Sequence, residues 1–198
     1  MACLIKPCLS FLTITFRRSR FSRFSVVSAE ADNMKNSHHQ NLSSSFLALD
    51  FETANSNGYS VCQIGIVKVM FGVVTERVSI LVKPPTNEYH YYNTKVHGIT
   101  PMNTRNAPTF DEVWDDISHF FEGQTVVAHN VKFDFTCLAK TLDFYRIPHP
   151  KYVKKCTYVI YKKGLKKLCD EFEIHLNHHD ALSDAEACAM LYMKHLGL

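Results

Sequence analysis

The sequence contains no C-x-x-C pair, no apolar run long enough to span a bilayer, no internal repeat and no large excess of either charge. Its seven cysteines, Cys3, Cys8, Cys62, Cys137, Cys156, Cys169 and Cys188, are scattered and odd in number. That argues against a disulfide framework or a structural zinc site, and predicts buried or half-buried reduced thiols in a reducing compartment. The apolar stretch at residues 8–16 is interrupted by Ser10, Thr13 and Thr15. It is far too short for a transmembrane helix, so no membrane partner is expected. A formal net charge of +3 over 198 residues is too small to mark a general polyanion binder. Any electrostatic case for nucleic acid must therefore rest on where the charges sit. With 46% hydrophobic and 21% charged residues, the composition is that of one ordinary globular domain plus a tail.

Acids are missing from the whole N-terminal segment up to Glu30, while Lys6, Arg17, Arg18, Arg20 and Arg23 lie there among serines and apolar residues. This is transit-peptide composition, and it implies a mitochondrial or plastid address. A secretory signal fits less well, because the arginines follow the apolar stretch instead of preceding it. A start at Met34 is equally compatible, with the first 33 residues an extension and the protein cytoplasmic. Residues 34–45, rich in Asn, Ser and His, read as a lead-in. The expected division is thus 1–45 for this segment and 46–198 for the folded domain.

Within that domain, residues 46–51 form an apolar run ending in a carboxylate, and residues 61–71 form a second run rich in β-branched side chains. With Asn55, Ser56, Asn57 and Gly58 between them, the pair predicts a β-hairpin. Residues 73–82 follow the Phe71-Gly72 turn as a third strand and stop at Pro84-Pro85. From Pro108 the spacing becomes helical, with Phe110, Val113, Trp114, Ile117, Phe120 and Phe121 on one face, Thr109 as N-cap and Gly123 as terminator. Residues 126–128 predict a short buried strand, and a helix through Phe135, Leu138 and Leu142 must end before Pro148. Two more helices are expected, at about 164–172 and 181–195. The order implies an α/β fold in which helices pack on a mixed sheet.

Three groups of residues invite chemistry. Asp50 and Glu52 stand two apart on the first strand, so both side chains leave the same face of the sheet and can reach one metal cluster; alternatively the strand has ended and both are solvated. Asp134 falls one turn into the helix after the buried strand, at the kind of junction where ligands gather in α/β sheets, with His129 and Asn130 just ahead of it. Taken alone, it is better read as an ordinary acid favoured by a helix N-terminus. His178-His179-Asp180-Ala181-Leu182-Ser183-Asp184 places a base and an acid at the start of the last helix. The bland account makes Asp180 an N-cap, Asp184 a dipole partner and the histidines surface residues. It needs three coincidences to explain all three groups.

At these residues the chain resembles the DEDDh exonucleases, the ribonuclease H-like group that includes the proofreading epsilon subunits of bacterial DNA polymerase III. The first motif of that family looks like Asp50-Phe51-Glu52-Thr53, the second like His129-Asn130 through Phe133-Asp134, and the third like His179 with Asp184 five residues later. His97-Gly98-Ile99-Thr100 followed by Ala107-Pro108-Thr109-Phe110 is similar to the linking segment. The resemblance covers about residues 46–197. It implies a five-stranded mixed sheet flanked by helices and a 3′-to-5′ exonuclease. Asp50, Glu52, Asp134 and Asp184 would hold two Mg²⁺ or Mn²⁺ ions, with His179 as general base. Thr53, His97, Gly98, Ile99, His129 and Asn130 would contact the substrate. Oxygen ligands suit those ions, whereas zinc prefers nitrogen and sulfur ligands, which the sequence does not cluster.

The implied partner is the 3′ end of a single strand, DNA in preference to RNA, because Asp50-Phe51-Glu52-Thr53-Ala54-Asn55 looks more like the epsilon group than like oligoribonuclease. Asn55-Ser56-Asn57 and Cys156 depart from the commoner family pattern at positions that supply no metal ligand. The chain ends at Leu198, soon after the third motif, so a stand-alone nuclease is expected more than a polymerase-associated proofreader. Lys151, Lys154, Lys155, Lys162, Lys163, Lys166 and Lys167, interleaved with Tyr152, Tyr158 and Tyr161, read either as a track for a phosphate backbone or as a solvated face. The competing reading of the whole is a catalytically silent nucleic-acid-binding or polymerase-associated module with the same fold.

Overall fold

The computed structural model describes residues 44–198. The expectations for the basic N-terminal segment, its targeting role and the start at Met34 fall outside the described residues.

Five strands form one sheet in the order β3-β2-β1-β4-β5: β1 Phe46–Thr53, β2 Val61–Met70, β3 Val73–Leu81, β4 Thr125–Ala128 and β5 Val153–Cys156. The first three are antiparallel neighbours, as their turn chemistry predicts, and Phe71 and Gly72 both take left-handed φ, 53° and 78°, at the β2–β3 turn. β4 joins β1 in parallel and β5 joins β4 in parallel, which makes the sheet mixed. β5 was not legible locally. Its four residues include Lys154 and Lys155, and only Cys156 among them is buried. Lysines on a short edge strand keep other chains from pairing there, at the expense of any hydrophobic pattern.

The strand period of two divides β1 between two cores. Leu47, Leu49 and Phe51 face α3 Phe110–Ile117 and α4 Val131–Phe144, whose Trp114, Phe135, Leu138 and Leu142 belong to the same buried cluster. Two further helices precede these, α1 Tyr91–His97 and α2 Pro101–Thr104. Phe46 and Ala48 face the other way, against Ala185, Cys188, Ala189 and Tyr192 of the last helix, α7 Ala181–Leu196. Phe46 meets the Tyr192 ring edge-on at 4.9 Å. Burying a side chain of that size contributes roughly 1.5–3 kcal/mol. Thr109 opens α3 as expected, its N–H donating to Glu112 Oε2 at 2.8 Å, but the helix gives way to a 3₁₀ turn at Ser118–Phe120 before Gly123. Between β5 and α7 lie α5 Thr157–Tyr161 and α6 Leu165–Phe172, the latter packed on α7 through Leu165, Leu168 and Leu191.

The five described cysteines, Cys62, Cys137, Cys156, Cys169 and Cys188, are all buried and unpaired, as expected from their scatter. Among the described residues no helix is long and apolar enough to cross a membrane.

Candidate active site

Asp50 and Glu52 continue the Phe46–Ala48 face of β1 and so emerge on the side that α7 covers. What lets α7 start close to them is the residue opposite Asp50 on β2, Gly65. A Cβ at Gly65 would stand 2.0 Å from the Ala181 carbonyl oxygen and 2.5 Å from the Leu182 nitrogen, so only glycine admits the first turn of the helix there. Gln63, opposite Glu52, fastens the same turn: its Oε1 accepts from the Ala181 N–H at 3.2 Å and its Nε2 donates to Asp180 Oδ2 at 3.2 Å. Asp180 caps the helix through the Ser183 N–H at 3.0 Å, so the bland reading holds for this acid.

It does not hold for Asp184, which is buried to 4% exposure with its carboxylate turned inward. Carboxylate oxygens of Asp50, Glu52 and Asp184 all lie within 4.8 Å of one another. Asp134 arrives from the opposite helix layer. It is 1% exposed in the first turn of α4, and its Oδ1 accepts the Phe51 N–H at 3.2 Å, across the strand from Asp50 and Glu52. All four acids line one cavity of about 580 Å³.

The electrostatics of this cluster are uncompensated. Burial raises the carboxyl pKa of Glu52 to about 8, with Asp184 and Asp134 adding like-charge repulsion. Burial likewise raises Asp134 to about 7 against the hydrogen bonds that favour its charge. Asp50 is pushed well above the usual carboxylate range, by burial first and then by Asp134, Asp184 and Glu52. Asp184 is also raised by burial, but the neighbouring His178 opposes the shift. Acids buried together in this way lack a counter-charge. No lysine or arginine is among the described residues lining the cavity.

His179 sits at the lip, half-buried, with a left-handed φ of 72° and its N–H donating to Asp184 Oδ2 at 3.2 Å. Burial, then the adjacent His178, lowers its pKa from the ordinary imidazole value. His178, exposed as the bland account expects, nevertheless contacts the same carboxylate through Nδ1 at 2.9 Å and stacks on the His179 ring at 3.9 Å. The expectation that nitrogen ligands are not clustered therefore fails at this point. The two histidines are neighbours in sequence, and only the five-residue spacing to Asp184 told them apart.

His129 and Asn130 also line the cavity. His129 Nδ1 pairs with Thr157 Oγ1 at 2.9 Å, while its buried Nε2 has no partner within the protein. Burial holds its pKa down near 4, so the ring is neutral at physiological pH. Thr53, His97, Gly98 and Ile99 form a separate collar beyond Glu52. The His97 Nδ1 accepts from the Ile99 N–H at 3.0 Å, which leaves the proton on Nε2 to donate to the Thr53 carbonyl at 3.2 Å. Ile99 itself is buried against Ala54 and Cys62. Phe133 and Tyr158, 42% and 50% exposed, line the cavity although the motif reading passed over them as site residues. An aromatic residue in a helical stretch reads as core until its exposure is known.

Three lysines of the basic segment have partners within the chain. Lys163 pairs with Glu171 at 2.6 Å, Lys166 with Asp170 at 3.1 Å, and Lys154 lies over the Phe135 and Tyr152 rings. Of the interleaved tyrosines only Tyr158 lines the cavity.

Comparison with known proteins brings this arrangement into a family. The model of a family described as Exonuclease (RNase_T) matches residues 47–192. Among curated relatives, a PolC-type DNA polymerase III from Clostridium perfringens is 29% identical over 164 residues, 78% of this chain but 11% of the relative. The DNA polymerase III subunit epsilon of Escherichia coli is 27% identical over 172 residues, covering 76% of this chain and 71% of the subunit. The chain thus spans only about one eighth of the PolC-type relatives, 12% in those from Thermotoga. Solved structures share the fold. Exonuclease X in complex with 5′-overhanging duplex DNA has a TM-score of 0.60 at 22% identity, covering 77% of this chain and 91% of its own. The nuclease domain of 3′hExo, a DEDDh family member bound to rAMP, has a TM-score of 0.65 at 16% identity over 78% and 92% of the two chains. A match that runs from β1 into α7, and so takes in every acid from Asp50 to Asp184, makes this chain a member of the exonuclease family, on a ribonuclease H-like fold.

Proposed function

We propose that the chain is a 3′-to-5′ exonuclease that removes nucleotides from the end of a single strand, with two divalent cations, Mg²⁺ or Mn²⁺, held by Asp50, Glu52, Asp134 and Asp184. The observation that carries this reading is the set of four acids, drawn from β1, α4 and α7, around one cavity that no described lysine or arginine lines. An all-oxygen donor set fits hard cations. The raised pKa values of Glu52 and Asp134 have the same meaning, since the cluster lacks the positive charge it is arranged to receive. When bound, the cations supply positive charge against the negative charge that builds on the phosphoryl oxygens in an in-line displacement.

The rest of the work falls to side chains. His179, neutral near pH 7 because burial lowers its pKa, takes the proton from the attacking water. Its backbone N–H, held on Asp184, fixes where the ring stands. Phe133 and Tyr158 offer exposed ring faces in the cavity, on which a terminal base can stack for roughly 1–3 kcal/mol. DNA is the favoured substrate, in line with the epsilon-like first motif and with relatives that are DNA polymerase III proteins.

Digestion of 5′-labelled single-stranded DNA and RNA with Mg²⁺, Mn²⁺ or EDTA tests the whole reading. The expected result is a ladder shortening from the 3′ end, dependent on the cation and faster on DNA. Strand binding without cleavage under any of the cations would instead support the silent module. His179→Ala should cost at least about 10² in rate. In the wild type the rate should climb as His179 loses its proton, with a midpoint below the ordinary imidazole value of about 6.5, because the shift is downward, and then level off. A His179→Ala protein with full activity and the same pH profile would remove the histidine from the mechanism.

A further inference from the structure

The proposed reaction has no use for His178, yet this residue completes a second set of ligands at the edge of the first. Donor atoms of His178, His179 and Asp184 all lie within 4.8 Å of one another. His178 Nδ1 is 2.9 and 3.2 Å from the two Asp184 oxygens. Two ligands about 2.0 Å from a tetrahedral ion stand about 3.3 Å apart, so this pair is already near the spacing one zinc would impose. The imidazole rings lie 3.9 Å apart and nearly parallel, 18° between planes. Convergence on one ion requires the rings to tilt, and His178, exposed at the lip, has room to do so.

We propose that His178, His179 and Asp184 form a binding site for zinc, and that filling it switches the nuclease off. The donor set is the reason for the choice of ion. Asp50, Glu52 and Asp184 offer oxygen alone and suit magnesium, whereas two imidazoles and one carboxylate suit a later transition ion and leave a fourth position open. Affinity for a nitrogen-containing site rises steeply from manganese to zinc. Asp184 belongs to both sets, so zinc and the paired cations compete for one carboxylate. A ligating His179 nitrogen has no lone pair left to accept a proton. The inhibitory half of this proposal rests on the exonuclease reading; the binding half does not.

Cobalt is the probe, because four-coordinate Co²⁺ absorbs visible light far more strongly than six-coordinate Co²⁺. Titrating the full chain with Co²⁺ should give an intense visible band that saturates at one equivalent and is bleached by Zn²⁺. His178→Gln retains an N–H to hold Asp184 and alters only an exposed side chain. It should weaken Co²⁺ and Zn²⁺ binding at least about ten-fold. In parallel, the Zn²⁺ concentration that halves the Mg²⁺-supported rate should rise at least about ten-fold in His178→Gln, each protein being compared with its own zinc-free rate. Absence of the band in the wild type, or equal affinity in His178→Gln, overturns the site. Zinc bound through His178 without loss of rate overturns the inhibition and leaves the site standing. If no cleavage is seen with any cation, the exonuclease reading has failed, and the cobalt titration still decides the site.

Discussion

Replacing Asp50 with asparagine should abolish nuclease activity and, in the same protein, raise the melting temperature measured without metal. Both effects have one cause. Asp50 is surrounded by Asp134, Asp184 and Glu52, and burial together with their repulsion holds its pKa far above the usual range. An amide of the same shape removes one of the repelling charges but can no longer serve as an anionic ligand. Losing an electrostatic element aimed at the reacting phosphate costs about 10²–10³ in rate, and a ligand placed among three other acids should sit at the upper end. The stability effect has a definite sign. A carboxyl whose folded pKa is raised favours folding below its unfolded pKa, and that contribution is lost as pH rises toward the folded value. For Glu52 the window runs from 4.5 to about 8, and for Asp134 from 3.8 to about 7. Thermal melts in EDTA should therefore show the wild type losing stability between pH 5 and pH 8, and Asp50→Asn losing less. A difference of about 1 kcal/mol would appear as roughly 2–4 °C. Mg²⁺ at pH 8 should restore the wild type and do little for the variant. An asparagine variant that melts below the wild type in EDTA at pH 8, or that turns over substrate at the wild-type rate, would contradict the reading of these acids as a cation-binding cluster.

β1 and β2 could be read from their runs of buried residues and β3 from its half-buried Val74, Val78 and Ile80, and Phe71-Gly72 and Pro84-Pro85 mark where strands end. The cluster of acids was legible because Asp50 and Glu52 share a face by strand periodicity and because Asp134 and Asp184 lie in first helical turns. β5 was hidden because its lysines replace the alternation that announces a strand. α1 buries no residue at all, so nothing amphipathic marks it, and it is held instead by Asn93 and His97 bonding to the Thr53 carbonyl. His178 was hidden for a different reason. Its contact with Asp184 depends on a left-handed turn at His179, and no periodicity records a single backbone angle.

Gly65 gave no sequence signal either, a glycine in the middle of a strand that could mark a bulge or a close approach. The structure makes it a close approach, and its substitution should be costly. In Gly65→Ala the new methyl would meet the Ala181 carbonyl oxygen at 2.0 Å, and the obstacle is backbone at the start of α7, not a side chain that can swing away. Overpacking of this kind costs about 1–3 kcal/mol, which corresponds to a fall in melting temperature of several degrees. The larger effect should be on catalysis. α7 can relieve the clash only by withdrawing from β2, and that carries Asp184 and His179 away from Asp50 and Glu52, whose positions β1 fixes. A displacement of about 1 Å between parts of a reacting constellation costs on the order of 10² in rate. Gly58→Ala is the matched control, since its methyl would meet only the flexible Lys140 side chain, with Cδ nearest at 2.8 Å. It should leave rate and melting temperature almost unchanged. If Gly65→Ala instead behaves like Gly58→Ala, α7 tolerates a retreat from the sheet, and the close approach at Gly65 is not what sets the distance between the acids of the strand and those of the last helix.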